Sequence, residues 1–190
     1  DAKINQWCEL AEFADYKIYI KKLLHLKPYI LSEKEERLMA LQSEASETAY
    51  KTFSILENLE LDFGTIKVKG KQLPLTQTTW SQFLKNPDRK VRKEAYERFY
   101  DVFEKHENTL ASLYAGSVNQ DIFETRARGY SSCLEHALYS NKVPLEVYHN
   151  LIDTVHKNFD TLHRYYKVFK KALGNKDLRH YDVYMPFTKD

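Results

Sequence analysis

His106-Glu107-Asn108-Thr109-Leu110 is the stretch of this chain that most invites a chemical reading. It opens like H-E-x-x-H, a pattern that works because histidines four apart on a helix reach one zinc ion, with the Glu beside the bound water as general base. Here Leu110 stands where the second histidine is needed, and a leucine cannot ligate a metal. The pair therefore reads as a solvent-facing His-Glu couple. His149, His156 and His163 recur at steps of seven and fall on nearly one helix face. At 1.5 Å per residue, neighbours in that series stand about 10.5 Å apart along the axis. Two imidazoles on one zinc each lie only about 2.0–2.1 Å from the metal. One ion cannot be chelated by such a stripe. His149 with Asp153 and His156 with Asp160 have an i,i+4 spacing that can hold a metal in pairs, but ordinary helix-surface pairing is the favoured reading.

Arg126-Ala127-Arg128-Gly129-Tyr130 offers a second kind of chemistry. Two arginines at the end of a long helix can satisfy its last carbonyls and suit the negative end of its dipole. They can also grip a carboxylate, such as a peptide terminus, by bidentate contact. Capping and ion pairing are favoured over ligand contact. The five glycines are isolated, so no phosphate loop is present. Ser131-Ser132 lacks a G-x-S-x-G setting. Cys8 and Cys133 are far apart, outside any metal spacing, and read as reduced thiols of a cytoplasmic protein. No complete catalytic set emerges.

The elements that would position these residues are helical. At 43% hydrophobic and 29% charged, with five Gly and five Pro among 190 residues, the composition is poor in breakers and rich in helix formers. A formal charge of +2 gives no pull toward nucleic acid or a membrane surface. No apolar run approaches a membrane span. The fourteen tyrosines recur mostly at helical spacing, which favours packing over a base-stacking surface.

Ile4, Trp7, Cys8, Leu10, Ala11, Ala14, Ile18, Leu23 and Leu26 predict one amphipathic helix facing a core and ended by Pro28. Ser32-Glu33-Lys34-Glu35 is a capping box, opening a helix to about Phe53 or Ile55. The two read as an antiparallel pair. Thr65-Ile66-Lys67-Val68, a turn at Lys69-Gly70-Lys71, and Gln72-Leu73-Pro74-Leu75 predict a small hairpin, with Pro74 at an edge. A short helix over Thr79 to Leu84 follows. Asn86 is then expected as N-cap, with Pro87 in the first turn of a helix of some forty residues, roughly 60 Å if unbroken. Gly116 is its expected kink. Ser131 or Ser132 caps a short helix to Leu138, and Pro144 starts a last one through Leu173, closed by Gly174. Asp1 in place of Met, with no leader-like segment after it, reads as a cut inside a longer protein.

In order and spacing these segments resemble the oligoendopeptidase F type of the thimet-oligopeptidase (M3) family of zinc metallopeptidases. The resemblance rests on Lys27-Pro28-Tyr29-Ile30-Leu31-Ser32-Glu33-Lys34-Glu35-Glu36, Leu61-Asp62-Phe63, Asp88-Arg89-Lys90-Val91-Arg92-Lys93-Glu94-Ala95 and Asn108-Thr109-Leu110-Ala111. It continues through Arg126-Ala127-Arg128-Gly129-Tyr130, Val143-Pro144-Leu145-Glu146-Val147-Tyr148, Leu162-His163-Arg164-Tyr165 and Tyr181-Asp182-Val183-Tyr184. These segments predict a mainly α architecture, an antiparallel bundle of long helices with one small β-hairpin near residues 65–75, and the resemblance implies a mostly helical two-lobed shell around a deep channel. Residues 1–75 are expected to form a helix pair plus hairpin and 76–190 a long-helix bundle, both within one lobe of a larger enzyme, with ends that are not native domain boundaries.

The resemblance further implies a channel that admits short peptides, with zinc in the parent enzyme but no cofactor, metal ligand or catalytic residue in this stretch. Arg126, Arg128 and Tyr130 are the candidate substrate-channel contacts. Expected partners are short peptides and the remaining segments of the same enzyme, with self-association through uncovered apolar strips, and neither nucleic acid nor membrane. A free-standing helical interaction module without catalysis is the alternative, and a small metal-binding protein using the helical histidines is a third reading.

Overall fold

The computed structural model describes residues 2–186. Its first helices are α1 (Ala2–Cys8) and α2 (Lys17–Leu26), joined by a 3₁₀ turn over Ala11–Tyr16. The single helix expected to Leu26 is thus broken. Leu10 is extended (φ −79, ψ 142), and the Glu9 carboxylate accepts a hydrogen bond from Lys17 Nζ at 2.7 Å. Nor does the predicted stripe face a core. Cys8 is buried, but Trp7, Leu10, Ile18 and Leu23 are exposed, Ile18 to 84%. Pro28 lies in a 3₁₀ turn that ends α2.

Helix α3 (Glu33–Ser46) begins at the expected capping box: Ser32 accepts from Glu35 N, and the Glu35 carboxylate accepts from Ser32 N. It gives way at Glu47 to α4 (Thr48–Ile55) and a π-helical turn, so the helix expected to run unbroken to Ile55 is two. Strands β1 (Thr65–Val68) and β2 (Lys71–Pro74) then pair antiparallel, Thr65 opposite Pro74 and Val68 opposite Lys71. Lys69 and Gly70 carry the positive φ angles, 49 and 82, that a two-residue hairpin turn demands.

Thr76 caps α5 (Gln77–Phe83), earlier than the Thr79 start expected. Asp88, not Asn86, caps α6 (Arg89–Lys105), accepting from Lys90 N at 2.9 Å. Asn86 instead uses its side-chain oxygen to hold Asp88 N. The forty-residue helix divides at His106 (φ −107, ψ 14) into α6 and α7 (Glu107–Arg128). Gly116 lies inside α7, and the break comes ten residues earlier, at His106. Ser132 caps α8 (Cys133–Tyr139). The last long helix also divides, at Asn158, into α9 (Leu145–Lys157) and α10 (Phe159–Ala172), with Gly174 at φ 67 just past its end. A 3₁₀ turn over His180–Asp182 follows. The fold is mainly α with one small hairpin, as expected.

Two compact units share the chain. One joins the described residues up to Thr48 with Gly116–Asp153, the other Ala49–Ala115 with the described residues from Thr154 onward. The second unit holds a closed core of Phe63, Ile66, Leu75, Phe83, Val91 and Ala95, with Trp80, Phe99 and Phe103 packed against it. Phe63 stacks on Phe99 at 4.6 Å between centroids. Each large side chain removed from water there contributes about 1.5–3 kcal/mol. Helix α6 is the spine, touching α5, β1 and the His180–Asp182 turn.

An ionic clasp fixes that last turn. Asp182 is fully buried, and its carboxylate accepts from Arg89 Nη2 and Arg92 Nη2, each at 2.8 Å, and from Arg179 N at 3.1 Å. Burial alone would push this carboxyl up, but the hydrogen bonds from Arg89 and Arg92 outweigh it and hold the group below its ordinary value. Its contribution to stability is therefore complete above about pH 3.9 and is lost as pH falls through the lower, folded value. Asp182→Asn leaves buried Arg92 facing a neutral amide and should cost about 3–5 kcal/mol in urea unfolding at pH 7. A loss below about 1 kcal/mol would contradict the clasp.

Candidate functional site

The corner where α7 ends and α8 begins gathers the sequence-nominated residues. Gly129, at φ 81, turns the chain out of α7, and Tyr130 N donates back to Thr125 O at 3.0 Å. Arg128 points to α3: its Nη1 and Nη2 meet Glu36 Oε1 and Oε2 at 2.9 and 3.3 Å, and Nη1 also meets Tyr29 O at 3.3 Å. That bidentate pair, first through its hydrogen bonds, pulls the Glu36 carboxyl down and pushes Arg128 up. Tyr130 is sandwiched, stacked on Tyr29 at 3.6 Å and on His136 at 4.4 Å. Burial pushes its phenol up, as it does that of Tyr29. Arg126 is exposed, and no hydrogen bond or ion pair is recorded for it among the described residues.

The surrounding groups lock the corner. His136 Nδ1 lies 3.1 Å from Thr125 Oγ1, and Thr125 is buried. Glu135 accepts from Ser131 N at 2.8 Å and from Tyr29 Oη at 3.2 Å, and the Ser131 bonds chiefly hold its carboxyl low. Behind them His25 stacks on Tyr139 at 4.1 Å, with its Nε2 2.8 Å from Tyr139 O. Sequence reasoning missed Glu36, Tyr29 and His136. Glu36 sits 92 positions from Arg128, and no local spacing announces such a pair.

A zinc ion does not fit these residues. His106 closes α6, its Nδ1 2.7 Å from Val102 O, which commits the ring locally. His149, His156 and His163 are exposed, with His156 and His163 flanking the Phe159 ring. Among the described residues no group of three His, Cys, Asp or Glu is placed to hold a metal. Among the described residues, what the corner can do is present the exposed Arg126 guanidinium beside an aromatic and ionic cluster.

Comparison with known families agrees with this order of elements. The model of Peptidase family M3 matches residues 82–189, and that of Oligopeptidase F matches residues 1–63. The chain belongs to peptidase family M3. Within it, the chain is similar to the oligoendopeptidase F homolog of Borreliella burgdorferi, 40% identical over 189 residues, covering 100% of this chain and 31% of that protein. Oligopeptidase PepF of Bacillus subtilis is 37% identical over 99% of this chain and 28% of its own length. The crystal structure of oligoendopeptidase-F from Enterococcus faecium superposes with a TM-score of 0.92 at 33% identity, covering 100% of this chain and 38% of that one. The chain thus spans about a third of the length of these relatives.

Gly129 has open space where a Cβ would go, so a side chain there meets only the backbone penalty of the left-handed region. Gly129→Ala should lower stability by about 1–2 kcal/mol in urea unfolding, and no loss would show that the corner relaxes freely.

Proposed function

We propose that these residues form part of the substrate-channel wall of an oligoendopeptidase F type zinc metallopeptidase that hydrolyses short peptides, and that they are inactive alone. One observation carries this reading: peptidase models match residues 1–63 and 82–189 in order, over a chain that covers 31% of its Borreliella burgdorferi relative. The zinc and its general base then belong to other segments of the enzyme, which are this chain's principal partners. Surface exposure supports it. Every residue from 146 to 168 is exposed, including Tyr148, Leu151, Ile152, Val155, Phe159, Leu162 and Tyr166. An apolar stripe of that length calls for a covering surface, and self-association is what it would drive without one. A cytoplasmic setting is consistent with the two free cysteines. No helix among the described residues is long and apolar enough to cross a membrane.

Within such a wall Arg126 is the peptide contact. Its exposed guanidinium offers two parallel donors to a peptide carboxylate, whereas Arg128 and Tyr130 build the base beneath it. The test is a chimera in which this chain replaces the matching segment of the Bacillus subtilis relative. Arg126→Ala should raise KM for short peptides about tenfold, one charge-assisted contact, with kcat little changed. An unchanged KM across several peptide lengths would remove Arg126 from the channel.

A further inference from the structure

Burial is divided very unevenly between the two units. Of the apolar residues buried among those described, Leu56, Phe63, Ile66, Leu75, Phe83, Leu84, Val91, Ala95 and Phe169 all belong to the second unit, and only Cys8 belongs to the first. The second unit also owns the Asp182 clasp. The first unit is held instead by half-buried rings and polar contacts: Tyr29 on Tyr130, His25 on Tyr139, Arg128 on Glu36, and Gln42 Nε2 on Gln120 Oε1 at 3.1 Å. At the same time it exposes Trp7, Leu10, Tyr16, Ile18, Leu38 and Leu41, from 43% to 84%. Stability within a protein follows buried apolar contact, and regions without it open first.

We infer that the first unit is a conditional fold: in this chain it opens as a separate step, well before the second unit, which holds the buried core. The inference depends on burial within this chain and not on the peptidase reading, so the two fail independently.

The two tryptophans make the test direct, because Trp7 lies in the first unit and Trp80 in the second. Trp80→Phe leaves Trp7 to report the first unit, and Trp7→Phe leaves Trp80 to report the second. In urea the Trp7 transition should come about 1 M or more below the Trp80 transition. Coincident transitions, or Trp80 leading, would overturn the inference. Hydrogen exchange on the unmutated chain decides the matter if a variant fails to fold. Amides of α3 and α8 should exchange at least tenfold faster than those of β1, β2 and α6. Equal protection would again overturn it.

Discussion

Asp182 is the residue on which the second unit closes. Its carboxylate sits 0% exposed between Arg89 and Arg92, both supplied by the first turn of α6. A buried charge is costly unless its oxygens are filled, and here two guanidinium groups and a backbone amide fill them. Arg92 also donates to Asn86 O and Pro87 O, the carbonyls just before α6, so one cluster ties the start of that helix to a turn 90 residues later. Arg89 adds Asp177 and lies over the Tyr181 ring. The apolar core of α5, α6 and the hairpin gives this unit its mass, and the clasp gives it a fixed closure.

The first unit is organised on another principle. Rings stack face to face, carboxylates meet arginine or serine donors, and large apolar side chains are left outside. Residues 146–168 of α9 and α10 are likewise all exposed.

Much of the fold was legible in local chemistry. The Ser32–Glu35 capping box, the Lys69-Gly70 hairpin turn, the Ser132 cap and the Gly174 terminus each rest on residues within a few positions of one another, so propensity and turn rules suffice. The helix breaks at Leu10, Glu47, His106 and Asn158 carry neither Gly nor Pro, and no local rule separates them from helix interior. Gly116 does not interrupt α7, because a helix tolerates an isolated glycine at a modest cost. At the site, Arg128 as an ion-pairing residue was readable from its place at a helix end. Glu36, Tyr29 and His136 were not, since their proximity is a product of tertiary folding alone.

The proposed function is a division of labour in which these residues supply scaffold and other segments supply the metal centre. Equilibrium dialysis of the purified chain against zinc, read alongside cleavage of a fluorescence-quenched decapeptide, tests it most directly. Absence of stoichiometric zinc and of hydrolysis above the no-protein rate is the predicted result. One tightly held zinc per chain, accompanied by zinc-dependent cleavage from a rigorously pure sample, would contradict it.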